Sequence, residues 1–190
     1  GVTSSRSGHA QFLLDGIPLS LAPYSHNGQS LFPTTLKMID RIDVVRGGSA
    51  VQYGPNNVSG VINLISKSIT EEWATNLNEK VTFFGNKKIL YDTAFNTGGA
   101  VTDAFDIRFS GNILGGESFR DHSDTDVQNW MVQTNLKISD TQSLATTLQY
   151  YEADTELPGA LNPAAYEKDR IQSLRTRDAF DADSMRLSTT

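Results

Sequence analysis

From residue 89 onward, apolar positions recur at every second residue. Ile89, Tyr91, Thr93 and Phe95 alternate with Asp92 and Asn96. Phe105, Ile107, Phe109, Gly111 and Ile113 alternate with Asp106, Arg108, Ser110 and Asn112. The same beat returns in Trp130, Val132, Thr134, Leu136 and Ile138, and again in Leu144, Thr146, Leu148 and Tyr150. With a shorter run starting near Leu77, this reads as about five strands of roughly ten residues, the length a tilted strand needs to cross a bilayer. A sixth strand is expected to begin at Leu187. Alternation alone fits a soluble antiparallel sheet equally well, because such a sheet also has one solvated face.

The connections separate the two readings. Ser139-Asp140-Thr141-Gln142 is a tight turn, and Gly98 to Asp103 falls on the same side. The polar stretch Gly115 to Gln128 and a long segment from about Ala153 to Asp183 fall on the other, joined by the short loop Gly85 to Lys87. Short turns at one end and long loops at the other are the arrangement of outer-membrane barrels. Plugged transporters of that type close with about 22 strands, so this set predicts only part of a barrel. An open edge in lipid would leave backbone groups unpaired.

Before Ser68 the pattern differs. Ala10–Leu14 reads as an apolar strand ending in an Asp15-Gly16 turn, and Pro18, Pro23, Asn27, Gly28 and Pro33 punctuate a long loop. Thr34 to Met38 suits one helical turn capped by Thr34 or Thr35, with strands at Ile42–Val45 and Gly60–Ile65. Gly47, Gly48 and Gly54 suit positions of positive φ or close approach. The expected fold is thus a small α+β domain over residues 1–70, then antiparallel barrel strands over 71–190, mainly β.

Composition narrows the classes. The formal net charge is −6, which argues against a nucleic-acid binder. There is no cysteine, so disulfides and thiolate metal sites are excluded. No run approaches the ~20 apolar residues of a membrane helix, a test blind to barrel strands. Gly1 falls inside an apparent loop and Thr190 near a strand start, which suggests an internal fragment.

The segment Ile39 to Lys67, IDRIDVVRGGSAVQYGPNNVSGVINLISK, resembles the C-terminal half of the plug domain of TonB-dependent outer-membrane receptors. With the upstream LLDGIPLSLAPY, the likeness is to the ferric-dicitrate (FecA-like) branch of that family. The resemblance implies active uptake of a ferric chelate across the Gram-negative outer membrane. It implies contact with membrane lipid, and energy from the TonB–ExbB–ExbD complex acting on a Ton box upstream of Gly1. It also implies that Asp43 and Arg46 pair with charges on the inner barrel wall and latch the plug. The alternatives are another cargo, a soluble β-rich binding module, or a truncated, non-functional gene product.

An anionic, carboxylate-rich ferric chelate calls for planar bidentate donors, which arginine supplies. Arg6 is the candidate at the plug apex, with Tyr24, His26 and Gln29 as hydrogen-bonding neighbours. Arg170, Arg175 and Arg177 form a basic cluster in the last long loop. Within that loop, Asn162-Pro163 reads as a helix cap followed by proline at the first position. His122 lies among Asp121, Asp124 and Asp126, yet the spacing does not match a calcium loop, so no direct metal site is expected. No catalytic constellation, such as a Gly-x-Ser-x-Gly elbow or a His-Glu-x-x-His helix, is present.

Overall fold

The computed structural model describes residues 10–19, 34–46, 53 and 60–190. The chain divides into two compact units, Gly1–Ser68 and Ile69–Thr190.

The first unit holds a four-stranded mixed sheet. Strands β1 (Ala10–Leu14), β2 (Ile17–Pro18), β3 (Ile39–Val45) and β4 (Gly60–Ser66) lie in the order β2-β1-β4-β3. Leu14 pairs with Ile17 across the two-residue turn Asp15-Gly16, with φ of 52° and 81°. Positive φ at both residues is what a tight hairpin turn demands, and an Asp-Gly pair meets it at little cost. The turn is tied to β4: Gly16 N–H donates to Asn63 Oδ1 at 2.9 Å, and Ser66 N–H donates to Asp15 Oδ1 at 2.8 Å. Strand β4 runs parallel to β1, and its near-continuous apolar sequence serves a sheet covered on both faces. Leu14, Leu19, Ile39 and Leu64 pack together, while Leu13 and Val61 pack with Val45 and Tyr53. A Cβ on Gly60, whose φ is +129°, would lie 2.5 Å from the Val45 carbonyl oxygen, so only glycine fits there. A 3-10 turn spans Leu36–Met38 with Thr35 as its cap, as the sequence suggested. Among the described residues this unit contains no α-helix. Gly47, Gly48 and Gly54 lie outside the described residues.

The second unit is one antiparallel meander of six strands. Strands β5 (Ala74–Phe83), β6 (Ile89–Thr102), β7 (Phe105–Glu117), β8 (Asp124–Ser139), β9 (Gln142–Glu156) and β10 (Ala179–Thr189) pair in sequence order. The turns at one end are Asp103-Ala104 and Asp140-Thr141. The other end carries residues 84–88, 118–123 and 157–178. Several boundaries therefore move from the sequence expectation. The turn expected at Gly98 to Asp103 tightens to Asp103-Ala104, and the β7–β8 loop is six residues rather than the Gly115 to Gln128 stretch. The last loop spans 157–178 rather than about Ala153 to Asp183, and the last strand begins at Ala179 rather than Leu187. The strands outrun their apolar stretch, so their loop-side ends read as polar loop.

Away from the irregularities at Val101 and Ile138, cross-strand pairing assigns the residues of this sheet to one face or the other. Leu77, Phe95, Gly111, Trp130, Tyr150 and Met185 lie in one continuous row of partners. Their face carries the exposed apolar side chains, including Leu77 at 73% and Leu187 at 67% exposure. The opposite face is mostly polar and is buried at its centre, where Asn129 and Gln149, at 2% and 3% exposure, lie beside Met131 and Tyr151. Its groups bond one another. Gln149 Nε2 donates to Asn129 Oδ1 at 3.0 Å, and Asn112 Nδ2 donates to Asp92 Oδ1 at 2.8 Å. Arg108 Nη2 donates to Asn96 Oδ1 at 2.7 Å. Burying polar groups and exposing apolar ones inverts the ordinary soluble sheet and matches a barrel wall facing lipid.

Candidate functional site

The three connections at the long-loop end form one hydrogen-bonded cluster, with the β7–β8 loop at its centre. Lys88, at the end of the β5–β6 loop, reaches into it. Its Nζ donates to the Arg120 carbonyl at 2.8 Å and lies 2.9 Å from Glu117 Oε2 and 3.4 Å from Asp121 Oδ1. The hydrogen bond to Glu117 raises the Lys88 pKa above the ordinary lysine value; partial burial opposes this and Asp121 adds to it. Asn86 Nδ2 donates to the Phe119 carbonyl at 2.8 Å. Inside the loop, Ser123 is buried and its hydroxyl donates to the Arg120 carbonyl at 2.5 Å.

The same loop grips the β9–β10 connection. Arg120 Nη2 donates to Pro158 O at 3.2 Å and Gln172 O at 2.8 Å, while Nη1 donates to Gly159 O. Asp121 N–H donates to Ile171 O at 2.8 Å. His122 sits between the two stems of the loop. Its Nε2 faces Asp178 O at 2.8 Å, and its Nδ1 faces Glu156 Oε1 at 3.1 Å. His122 has a φ of 55°, in the left-handed region that few residues other than glycine adopt.

The β9–β10 loop has structure of its own. Helix α1 (Pro163–Lys168) starts on Asn162, whose Oδ1 accepts the Ala165 N–H at 2.8 Å, with proline in the first turn. That is the cap expected from sequence. Gln172 Nε2 donates to Ala165 O at 2.7 Å and folds the returning limb onto the helix. Gly159 has a φ of +67°, and the stem of Arg175 occupies the space a Cβ would need.

The candidates named from sequence fall in different places. Arg6, Tyr24, His26 and Gln29 lie outside the described residues. Arg175 is engaged inside its loop, with Nη1 3.0 Å from Asp178 Oδ2. Arg170 and Arg177 are exposed and have no ion pair among the described residues. Asp43 lies 3.4 Å from the Arg41 guanidinium on its own strand, and Arg46 is exposed just past the end of β3. No group of three His, Asp or Glu side chains among the described residues could hold a metal ion. Arg120, Lys88 and His122 escaped sequence reasoning as structural links because their partners lie in loops remote along the chain. The one available signal was a cation within an otherwise acidic loop.

Known proteins carry the same features. Residues 1–61 match the TonB-dependent Receptor Plug Domain family. The whole chain superposes on the ferric citrate transporter FecA in its unliganded form, with a TM-score of 0.87 and 30% identity over 100% of this chain and 29% of that one. The fold is shared with the siderophore receptor PirA from Acinetobacter baumannii, at a TM-score of 0.72 and 16% identity, over 96% of this chain and 30% of that one. In sequence, the chain is 33% identical to the ferrienterobactin receptor of Escherichia coli (strain K12) over 79 residues, or 40% of this chain and 11% of that protein. It is 26% identical over 149 residues to the ferric-pyoverdine BN7/BN8 receptor of Pseudomonas putida, covering 76% of this chain and 17% of that protein.

A plug-domain match over residues 1–61 and a sheet with an apolar outer face are features the chain shares with the outer-membrane receptors it resembles. Residues 1–61 carry the plug domain of TonB-dependent receptors, and the proteins this chain is similar to are named as receptors or transporters for ferrienterobactin, ferric pyoverdine and ferric citrate. It spans less than a third of the length of each relative named above.

Proposed function

We propose that this chain is the part of a TonB-dependent transporter that carries the C-terminal half of the plug, about residues 1–70, and the first barrel strands, about residues 71–190. Its function is active uptake of a ferric chelate of the iron-citrate type. The observation that carries this reading is the two-faced sheet of β5–β10: apolar side chains exposed on one face, hydrogen-bonded polar ones buried on the other, and every long connection at one end.

The chelate meets the receptor at the loop end. Arg170 and Arg177 supply exposed guanidinium groups for its carboxylates, joined by Arg6, Tyr24, His26 and Gln29 of the plug. Arg175 contributes through the shape of its loop, since Asp178 already holds its guanidinium. Asp43 and Arg46 act in the plug latch, with Arg41 beside Asp43 as a local competitor for that carboxylate. Membrane lipid covers the apolar face, and the TonB–ExbB–ExbD complex supplies the energy.

A second reading is an enterobactin or pyoverdine cargo, favoured by the sequence similarity to receptors named for those ferric compounds. Titration calorimetry of the full-length receptor with ferric citrate, ferric enterobactin and ferric pyoverdine separates the two. Saturable binding of ferric citrate alone is expected. Binding of either siderophore with no response to ferric citrate contradicts the cargo assignment.

A further inference from the structure

Arg120 joins the two limbs of the β9–β10 loop. Pro158 and Gly159 belong to the outgoing limb and Gln172 to the returning one, and the guanidinium donates to the carbonyls of all three. Arg120 is itself held, because Lys88 Nζ and Ser123 Oγ both donate to its carbonyl. It has no carboxylate within ion-pair distance among the described residues, so its charge is spent on peptide oxygens. A planar fork of five donors bridges separate carbonyls at fixed angles, whereas an ammonium offers three rotatable donors from a single point.

The bridge acts beside one particular side chain. Arg170 is exposed, and the next two residues are both anchored to the β7–β8 loop: Ile171 O accepts from Asp121 N–H, and Gln172 O accepts from Arg120. On the other side, Asp169 Oδ1 accepts the Ile171 N–H at 2.9 Å, which closes a small turn around Arg170. The backbone under Arg170 is thus fixed while its side chain stays open.

We propose that Arg120 is a positioning residue for ligand capture: it clasps the two limbs of the β9–β10 loop and holds Arg170 where an anionic chelate meets it. The proposal rests on the ferric-chelate reading above. A preformed loop binds more tightly than one that must be ordered on contact, so loss of the clasp weakens affinity without altering the charges offered to the ligand.

The test uses the full-length receptor with R120A, R120K, R170A and the R120A/R170A pair. Two quantities are measured: amide hydrogen exchange over residues 158–173 without ligand, and affinity for ferric citrate. R120A is expected to speed exchange in that segment by about tenfold or more, and to weaken ferric citrate binding by about tenfold. R120K keeps the charge but loses the fork, so its exchange is expected to be nearly as fast. R170A is expected to weaken binding and leave exchange unchanged. The double variant is expected to bind no more weakly than the worse single one, because both substitutions remove the same contact. Unchanged exchange in R120A and R120K overturns the clasp, and fully multiplicative losses in the double variant overturn its action through Arg170. If R120A does not assemble in the membrane, R120K decides the exchange arm. A wild-type receptor that does not bind ferric citrate overturns the cargo reading and the capture role together, and the exchange arm still reports separately on the clasp.

Discussion

Gly111 stands directly opposite Trp130 in the β7–β8 ladder, and the indole fills the space where a side chain on Gly111 would be. Phe95, the partner of Gly111 on the other side, leans into the same gap. The rings of Phe95, Phe109 and Trp130 lie 5.4 to 5.9 Å apart around the glycine. Aromatic contacts of this kind contribute about 0.5–1.5 kcal/mol per pair beyond area burial, and covering a strand glycine also protects its backbone.

Gly111→Val should therefore displace two rings and destabilise the sheet by about 1–3 kcal/mol, the usual cost of overpacking. Gly85, which has open space around its Cβ position, serves as control. Gly85→Ala should change stability by less than about 0.5 kcal/mol. Urea unfolding of the full-length receptor in lipid vesicles compares the two, and equal midpoints contradict the packing role of Gly111.

The two faces of β9 should respond oppositely to charge. Leu148 lies on the apolar face and Thr147 on the polar one. Leu148→Arg should cost about 2–4 kcal/mol near the bilayer midplane, whereas Thr147→Arg should cost much less. Folding yield into vesicles, read by the heat-dependent gel mobility of folded barrels, ranks them. A smaller loss for Leu148→Arg reverses the assignment of faces.

Lys88 makes the loop end sensitive to strongly alkaline conditions. Its folded pKa is raised above the ordinary 10.5, chiefly by Glu117, so the protonated form is favoured by folding. Its contribution is fully present below pH 10.5 and is lost as pH rises through the higher folded value. Cleavage of the 118–123 loop by an alkaline-tolerant protease should stay slow through neutral pH and rise only in that upper window. Lys88→Met should cleave quickly at every pH. A rise in wild-type cleavage already at pH 8 contradicts the assignment.

In the first unit, Asn63 is buried and its Oδ1 accepts the Gly16 N–H. Asn63→Ala leaves that donor without a partner, at a cost of about 1–3 kcal/mol. Faster hydrogen exchange at Gly16 and its neighbours in the full-length receptor is the expected sign. Unchanged exchange there means that the turn holds without Asn63.

What the sequence made legible was periodic or local. The Asp15-Gly16 turn, the Thr35 and Asn162 caps and the alternation through β6–β9 each declare themselves within a few residues. The start of β10 does not. Its outward residues near the loop end are Asp181 and Asp183, paired with Asp154 and Glu152. The apolar band of a barrel is only about 25 Å tall, so a strand of 15 or 16 residues such as β9 or β8 continues beyond it, and its outer face turns polar. Tyr150, whose hydroxyl donates to Glu152 at 3.0 Å, marks that transition on β9. The loop cluster was illegible for a different reason. Lys88, Arg120, His122, Glu156 and Gln172 meet only because sheet register brings three hairpin ends together. Arginine content alone pointed to Arg170, Arg175 and Arg177, without distinguishing the one held by Asp178 from the two left open.

The orientation of the sheet is the claim on which the account stands, and β9 tests it directly. This chain has no cysteine, so once any cysteine elsewhere in the full-length receptor is replaced, single cysteines at positions 144 to 150 can each carry a spin label without background. Collision rates with oxygen, which concentrates in lipid, should alternate strictly, high at 144, 146, 148 and 150 and low at 145, 147 and 149. Uniform rates along the strand, or high rates at the odd positions, would contradict a membrane-facing apolar side and the transporter reading built on it.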